Sequence, residues 1–133
     1  MAEYKGGYSE KVIYDTGGAV GVGTAIDVKD FRPISIYIAS ASSADLTVKC
    51  QGSFDRDVPT FSSAASQTNV WDYVAMYDLQ DASKINGDTG IPFTGSDDVR
   101  HFIVNVDSLK WLSFEITAWV AGNIKVRAFL STN

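Results

Sequence analysis

"WLSFEITAWVAGNIKVRAFL", residues 111–130, alternates apolar and polar side chains almost from end to end. Leu112, Phe114, Ile116, Ala118 and Val120 share one face, and Ile124, Val126, Ala128 and Leu130 continue it. A period of two over such a stretch is the mark of half-buried β-strand. The small residues Ala121, Gly122 and Asn123 interrupt it, and a three-residue hairpin loop there keeps inward residues facing inward ones. Val120 then meets Ile124 and Phe114 meets Leu130, whereas a two-residue loop would set Val120 against Lys125. On the outer face the same register predicts Trp119 opposite Lys125 and Glu115 opposite Phe129.

The same period recurs upstream. Ile34, Ile36 and Ile38 share a face, as do Leu46, Val48 and Cys50, and then Phe102, Val104 and Val106. Weaker strand patterns cover residues 11–14, 24–28 and 70–79, and residues 78–85 suit a short turn of helix. The expected class is all-β, an antiparallel β-sandwich of about eight strands with a jelly-roll-like topology. Residues 53–69 form a polar connection too long for a tight hairpin, the kind of loop that often carries contacts. Residues 1–10, with Tyr4 and Tyr8 around Gly6 and Gly7, read as an extended N-terminal arm, and residues 11–133 as one domain.

Composition narrows the partners. The chain has 133 residues and a formal net charge of −5, and Glu occurs only at positions 3, 10 and 115. The other acids are Asp, which suits turns and strand ends. This balance argues against binding a nucleic-acid backbone, which needs clustered Lys and Arg. No apolar run approaches the ~20 residues of a membrane span, and the first residues lack the apolar region of a signal peptide. Cys50 is the single cysteine, so no internal disulfide is available, and its place in an apolar alternation reads as core.

Several stretches invite a catalytic reading. Asp-Thr-Gly, the active-site tripeptide of aspartic proteases, occurs at Asp15 and again at Asp88. Such a dyad would share a proton about a water. The flanks argue against it, because Gly18 and Ile91 follow where Ala or Ser is the rule in that family. The glycines at 17, 18, 21 and 23 run into a strand-like "TAIDV", not the helix a phosphate cradle needs. They read as a β-connection, free to lie close against a neighbouring subunit. His101 sits on an outward face with no Ser or Asp specified around it, and reads as a surface or interface histidine. Asp78, Asp81, Asp88, Asp97 and Asp98 are candidate calcium ligands without EF-hand spacing, and loop aspartates capping their own turns are the alternative. The expected set is therefore no catalytic residues and no cofactor, with calcium the one ion to consider.

Aromatic residues carry more weight. Trp111 and Trp119 share the outer face of one strand, and Trp71, Tyr73 and Tyr77 form a second set. An outward tryptophan stripe suggests a subunit contact or a flat platform for sugar rings, against packing by loops or the arm. Together with Tyr4, Tyr8, Lys125 and Phe129, the three tryptophans are the candidate interface residues.

The strand ending Val-Asn-Val-Asp (residues 104–107), "SLKWLSFEITAW", a Gly turn and a final alternating strand resemble small β-sandwich virion proteins of tailed bacteriophages. "VKCQGSFDRDVPTF" adds a preceding strand and loop of similar style, so the resemblance covers residues 45–133. It implies a head decoration, cement or fibre-associated role on the virion, with the major capsid protein and copies of itself as partners, a trimer favoured. A carbohydrate-binding or receptor-binding module using Trp71, Trp111 or Trp119 is the alternative reading. The aspartic protease using Asp15 and Asp88 is the remote one.

Overall fold

The computed structural model of the chain describes residues 9–31, 33–105 and 108–131, which form strands and turns and no helix. The strands are β1 (Ser9–Gly17), β2 (Gly21–Val22), β3 (Ile26–Asp27), β4 (Ile34–Ser53), β5 (Asp72–Tyr73), β6 (Met76–Asp78), β7 (Ser83–Ile85), β8 (Ile91–Ser96), β9 (Val99–Val104) and β10 (Trp111–Leu130). Every pairing between them is antiparallel. The all-β, sandwich-like class read from the alternation is the class observed.

Two strands organise everything else. β4 and β10 each run 20 residues and pair along their full length, from Trp111 opposite Ser53 to Leu130 opposite Ile34. Midway their register slips three times between Ile116 and Asn123. There Ser42 and Ser43 adopt φ of 59° and 54°, and Gly122 a φ of 79°. Such bulges bend a strand and increase its twist. A Cβ on Gly122 would fall 2.4 Å from Ala44 Cα, so only glycine lets the two backbones close at this corner.

The flanking chain turns the same corner. β1 follows the C-terminal part of β10, and β2 and β3 follow its N-terminal part. On the other side β8 follows the C-terminal part of β4 and β9 its N-terminal part, with Gly95 at φ 86° near the end of β8. The Ser40 hydroxyl fastens this crossing, accepting from Asp98 N at 2.8 Å and donating to Ser96 O at 3.0 Å. The result is one long sheet folded over on itself. Its broad half has the order β1-β10-β4-β9-β6-β7, and its narrow half carries β2, β3, β5 and β8 beside β10 and β4.

Folding a sheet over keeps the concave side inside except at the corner, where the register slips leave Ala118 and Val120, expected inward, exposed. Ile34, Ile36 and Ile38 of one half and Leu46, Val48 and Cys50 of the other therefore enter a single core. Leu112, Phe114 and Ile116 join Ile124, Val126 and Leu130 there in the same way. The expected hairpin at 121–123 is thus corrected: the chain runs on as one bent strand. Trp119 lies opposite Leu46, not Lys125, and Glu115 opposite Lys49, not Phe129. The stretches 34–40 and 46–51 are likewise one strand. Residues 78–85 form the β6–β7 hairpin instead of a helical turn, because the Asp81 carboxylate takes the Ser83 amide and hydroxyl at 3.1 and 2.6 Å. Ser9 and Glu10, assigned to the arm, pair with Leu130 and Phe129 in β1. Tyr4, Tyr8 and the rest of residues 1–8 lie outside the described residues, as does Val106.

Candidate functional site

The outward positions of the broad half form an aromatic and apolar surface. Pairing sets Glu10, Phe129, Ser35, Ile103, Tyr77 and Lys84 in one row across the sheet. The next row holds Val12, Arg127, Tyr37 and His101, and the Leu79 amide bonds the His101 carbonyl. A third holds Lys125, Ala39 and Val99. Tyr37 centres the cluster, with ring centroids 5.7 Å from Phe129 and 6.3 Å from His101. Tyr77, Leu79 and Val99 are 50%, 51% and 58% exposed, so this face is open. Charge enters along β1 and β10, with Glu10, Arg127 and Lys125, and at Lys84 on β7, leaving β4 and β9 between them free of Lys, Asp and Glu at their paired outward positions. Arg127 is held by Glu10 and Asp15 at 2.9 and 3.2 Å, and carboxylate partners together keep its guanidinium firmly protonated.

The narrow half is finished differently. The connection after β4 folds back over its outer face, and Phe61 is the one side chain of residues 54–70 that is fully buried. Below it lie polar groups: Gln51 and Ser113 are both inaccessible, Gln51 Nε2 donates to Phe61 O at 2.9 Å, and Ser113 Oγ to Gly23 O at 3.1 Å. Gln51 Oε1 receives no hydrogen bond from the described residues. Asn69 ties the loop to itself through Thr60 N, Thr60 O and Ala64 O. Beside the loop, Trp71 meets Tyr73 edge to face at 5.1 Å, and Tyr73 donates to Glu115 Oε1 at 2.6 Å. Burial, then this carboxylate, push the Tyr73 phenol up to about 12.

The tryptophan stripe does not form. Trp111 lies at the far end of β10, where Lys110 Nζ sits 4.4 Å from its ring centroid and its indole donates to Arg56 O. Trp119 lies at the corner, its indole bonded to Gly122 O at 2.9 Å. Ser113 and Glu115 between them are covered by the loop and β5. Of the sequence candidates, Lys125 and Phe129 belong to the broad face, Trp71 and Trp111 to the narrow half, and Trp119 to the corner.

The catalytic candidates are dispersed. Asp15 is on β1 against Arg127, whereas Asp88 is in the turn before β8, its amide bonded to Asn86 Oδ1 at 2.8 Å. The two lie on different halves. Gly17 and Gly23 do lie close to a neighbour, but within the chain: added Cβ atoms would strike Tyr14 and Ile13 at 2.7 Å. Cys50 is buried, and burial pushes its thiol well up, out of the reactive range. Among the proposed calcium ligands, Asp97 caps the Ser43 amide, Asp98 its neighbour Val99, and buried Asp78 pairs with Arg100. No three such groups converge among the described residues.

Sequence reasoning did not single out Tyr37, Ile103 and Leu79 as candidate interface residues. The available signal was what fills the outward slots of residues 34–40, 99–104 and 124–130: Tyr37, Ile103 and Phe129 stand where Lys or Glu is usual.

No family model matches the chain, and no curated protein matches it. Among solved structures its fold is similar to the crystal structure of the SPBc2 prophage-derived protein YomS, with a TM-score of 0.68 over 98% of this chain and 97% of that one, at 12% identity.

Proposed function

We propose that this chain is a non-enzymatic bacteriophage virion structural protein, a decoration or cement protein that binds the assembled head and reinforces it. The observation that carries this reading is the open face around Tyr37, Ile103, Tyr77 and Phe129, which spans five paired strands and has its charge along β1 and β10. Exposed apolar surface on that scale marks a protein–protein contact. The likeness of fold to a prophage-derived protein over nearly the whole of both chains adds weight. Burial of this face against the major capsid protein, in a homo-oligomer with a trimer favoured, supplies the affinity. Many weak contacts on a lattice then add through multivalency.

Mixing the purified protein with undecorated capsids of the encoding phage and sedimenting the capsids tests this. The protein is expected in the pellet, and Ile103→Asp is expected to leave it in the supernatant while still folded. Folded native protein that stays in the supernatant overturns the reading.

A further inference from the structure

We propose that the concavity beside Trp71 on the narrow half is a subsite for one neutral pyranose unit of a glycan. It holds about 320 Å³ and is lined by Phe61, Ser62, Ser63, Trp71, Tyr73 and Glu115, among others. That volume is at the lower end of small-ligand sites. Its aromatic wall is not sealed by stacking: Phe61 and Trp71 are tilted by 58°, and Trp71 and Tyr73 by 82°. Trp71 and Tyr73 are half-buried, so each keeps surface for the apolar face of a sugar ring.

The wall is held in place before any ligand arrives. Trp71 Nε1 donates to Ser63 O at 3.0 Å, and Asn69 Nδ2 grips the carbonyls of Thr60, Ser63 and Ala64. Tyr73 and Gln51 both donate to Glu115 Oε1, fixing that carboxylate. A site ordered in advance loses less entropy on binding.

The unused polar groups select the ligand. Glu115 Oε2, Asp72 Oδ2 and the Ser62 hydroxyl make no hydrogen bond among the described residues, while Asp72 Oδ1 is taken by the Tyr73 amide. Two of these three are pure acceptors, so the ligand must bring donors. An anion would meet Glu115 and Asp72, and no Lys or Arg lines the site. A cation would suit aromatic rings and carboxylates, but that place is filled. Lys49 lies opposite Glu115 in the pairing, and its ammonium sits 4.8 Å from the Tyr73 ring centroid. Lys49 offsets one of the two carboxylates and Asp72 is exposed to solvent, whereas a wholly apolar ligand would bury the Glu115 charge without a partner. A neutral ring with hydroxyls on its edge and CH groups on its face meets every requirement.

This inference is independent of the capsid reading, because the two surfaces lie on different halves. An array of neutral, sialylated and choline-bearing glycans, followed by tryptophan fluorescence titration with the best neutral ligand, tests it. Binding to neutral glycans is expected, weakened about tenfold or more by Trp71→Ala and about tenfold by Glu115→Gln. Glu115→Gln still accepts the Tyr73 hydroxyl and keeps the thermal unfolding midpoint, so its loss of binding is not a loss of fold. Trp111→Ala is expected to bind within about twofold of the parent. The inference is overturned if no neutral glycan binds, if only sialylated or choline-bearing glycans do, or if Glu115→Gln and Trp71→Ala bind like the parent.

Discussion

The two halves of the fold are built from the same two strands, yet their outer surfaces are finished in opposite ways. On the broad half β4 and β10 present Tyr37 and Phe129 to solvent, with Ile103 and Tyr77 beside them. On the narrow half the same strands present Gln51 and Ser113, and both are buried under the 54–71 connection and β5. The apolar residues are thus exposed where no chain covers them, and the polar ones are hidden where it does. Fold maintenance alone does not favour this distribution, since leaving Tyr77 and Leu79 half exposed contributes little to stability. It fits a molecule whose narrow half holds its own loop and whose broad half is completed by something else.

If the halves share one core, damage to either should unfold both. Phe102 is fully buried on the broad half, whereas Trp71 and Trp111 report from the narrow half. Phe102→Ala should cost about 3–5 kcal/mol, the largest effect expected of any single change considered. Tryptophan fluorescence and far-ultraviolet circular dichroism should lose their signals at the same lowered denaturant concentration. A tryptophan transition left at the parental midpoint would mean that the narrow half stands alone, and the folded-sheet description would fail.

The corner that joins the halves offers a finer comparison between two glycines. Gly122 combines a φ of 79° with backbone atoms of Ala41 and Ala44 within 2.8 Å of an added Cβ. Gly95 has a φ of 86° but open space around it. Gly122→Ala should therefore cost about 2–4 kcal/mol from strain and overlap together. Gly95→Ala should cost only about 1 kcal/mol, the strain alone. Denaturant unfolding of the pair separates them. Equal losses would show that the two long strands do not close on each other at Gly122.

The corner was also the limit of what the sequence made legible. Period-two alternation marks Ile34, Ile38, Leu46, Val48, Leu112 and Leu130 as inward, and all are buried. Parity could not tell a three-residue hairpin at Ala121–Asn123 from a bent continuous strand, because both keep Phe114 and Leu130 on the inside. The choice rests on a long-range partner: β4 carries its own bulge at Ser42 and Ser43, in step with Gly122. The outer surfaces were legible only in part. Phe129 and Lys125 were placed outward correctly, but Trp111 and Trp119 made a stripe only while β10 was treated as uncovered. Nothing local in residues 53–69 announces that Phe61 turns inward and carries the loop with it. For the proposed glycan subsite, Trp71 was visible as a candidate, whereas the Tyr73–Glu115 hydrogen bond beside it spans 42 residues.

The smallest expected effect also concerns the corner, now as a function of pH. The Tyr14 hydroxyl donates to Gly21 O at 2.6 Å, joining β1 of the broad half to β2 of the narrow half. Burial pushes it up from 10.0 to about 12. A phenol whose folded value is raised favours its neutral form, so the stabilisation is complete below about pH 10 and is lost as pH rises towards about 12. A two-unit shift corresponds to at most roughly 3 kcal/mol, and partial exposure of the ring reduces this to about 1 kcal/mol. Tyr14→Phe should cost about 1 kcal/mol at neutral pH through the lost hydrogen bond. It should also flatten the fall in unfolding midpoint between about pH 9 and about pH 11.5. A variant that loses stability with the same slope as the parent would show that this phenol does not clamp the two halves together.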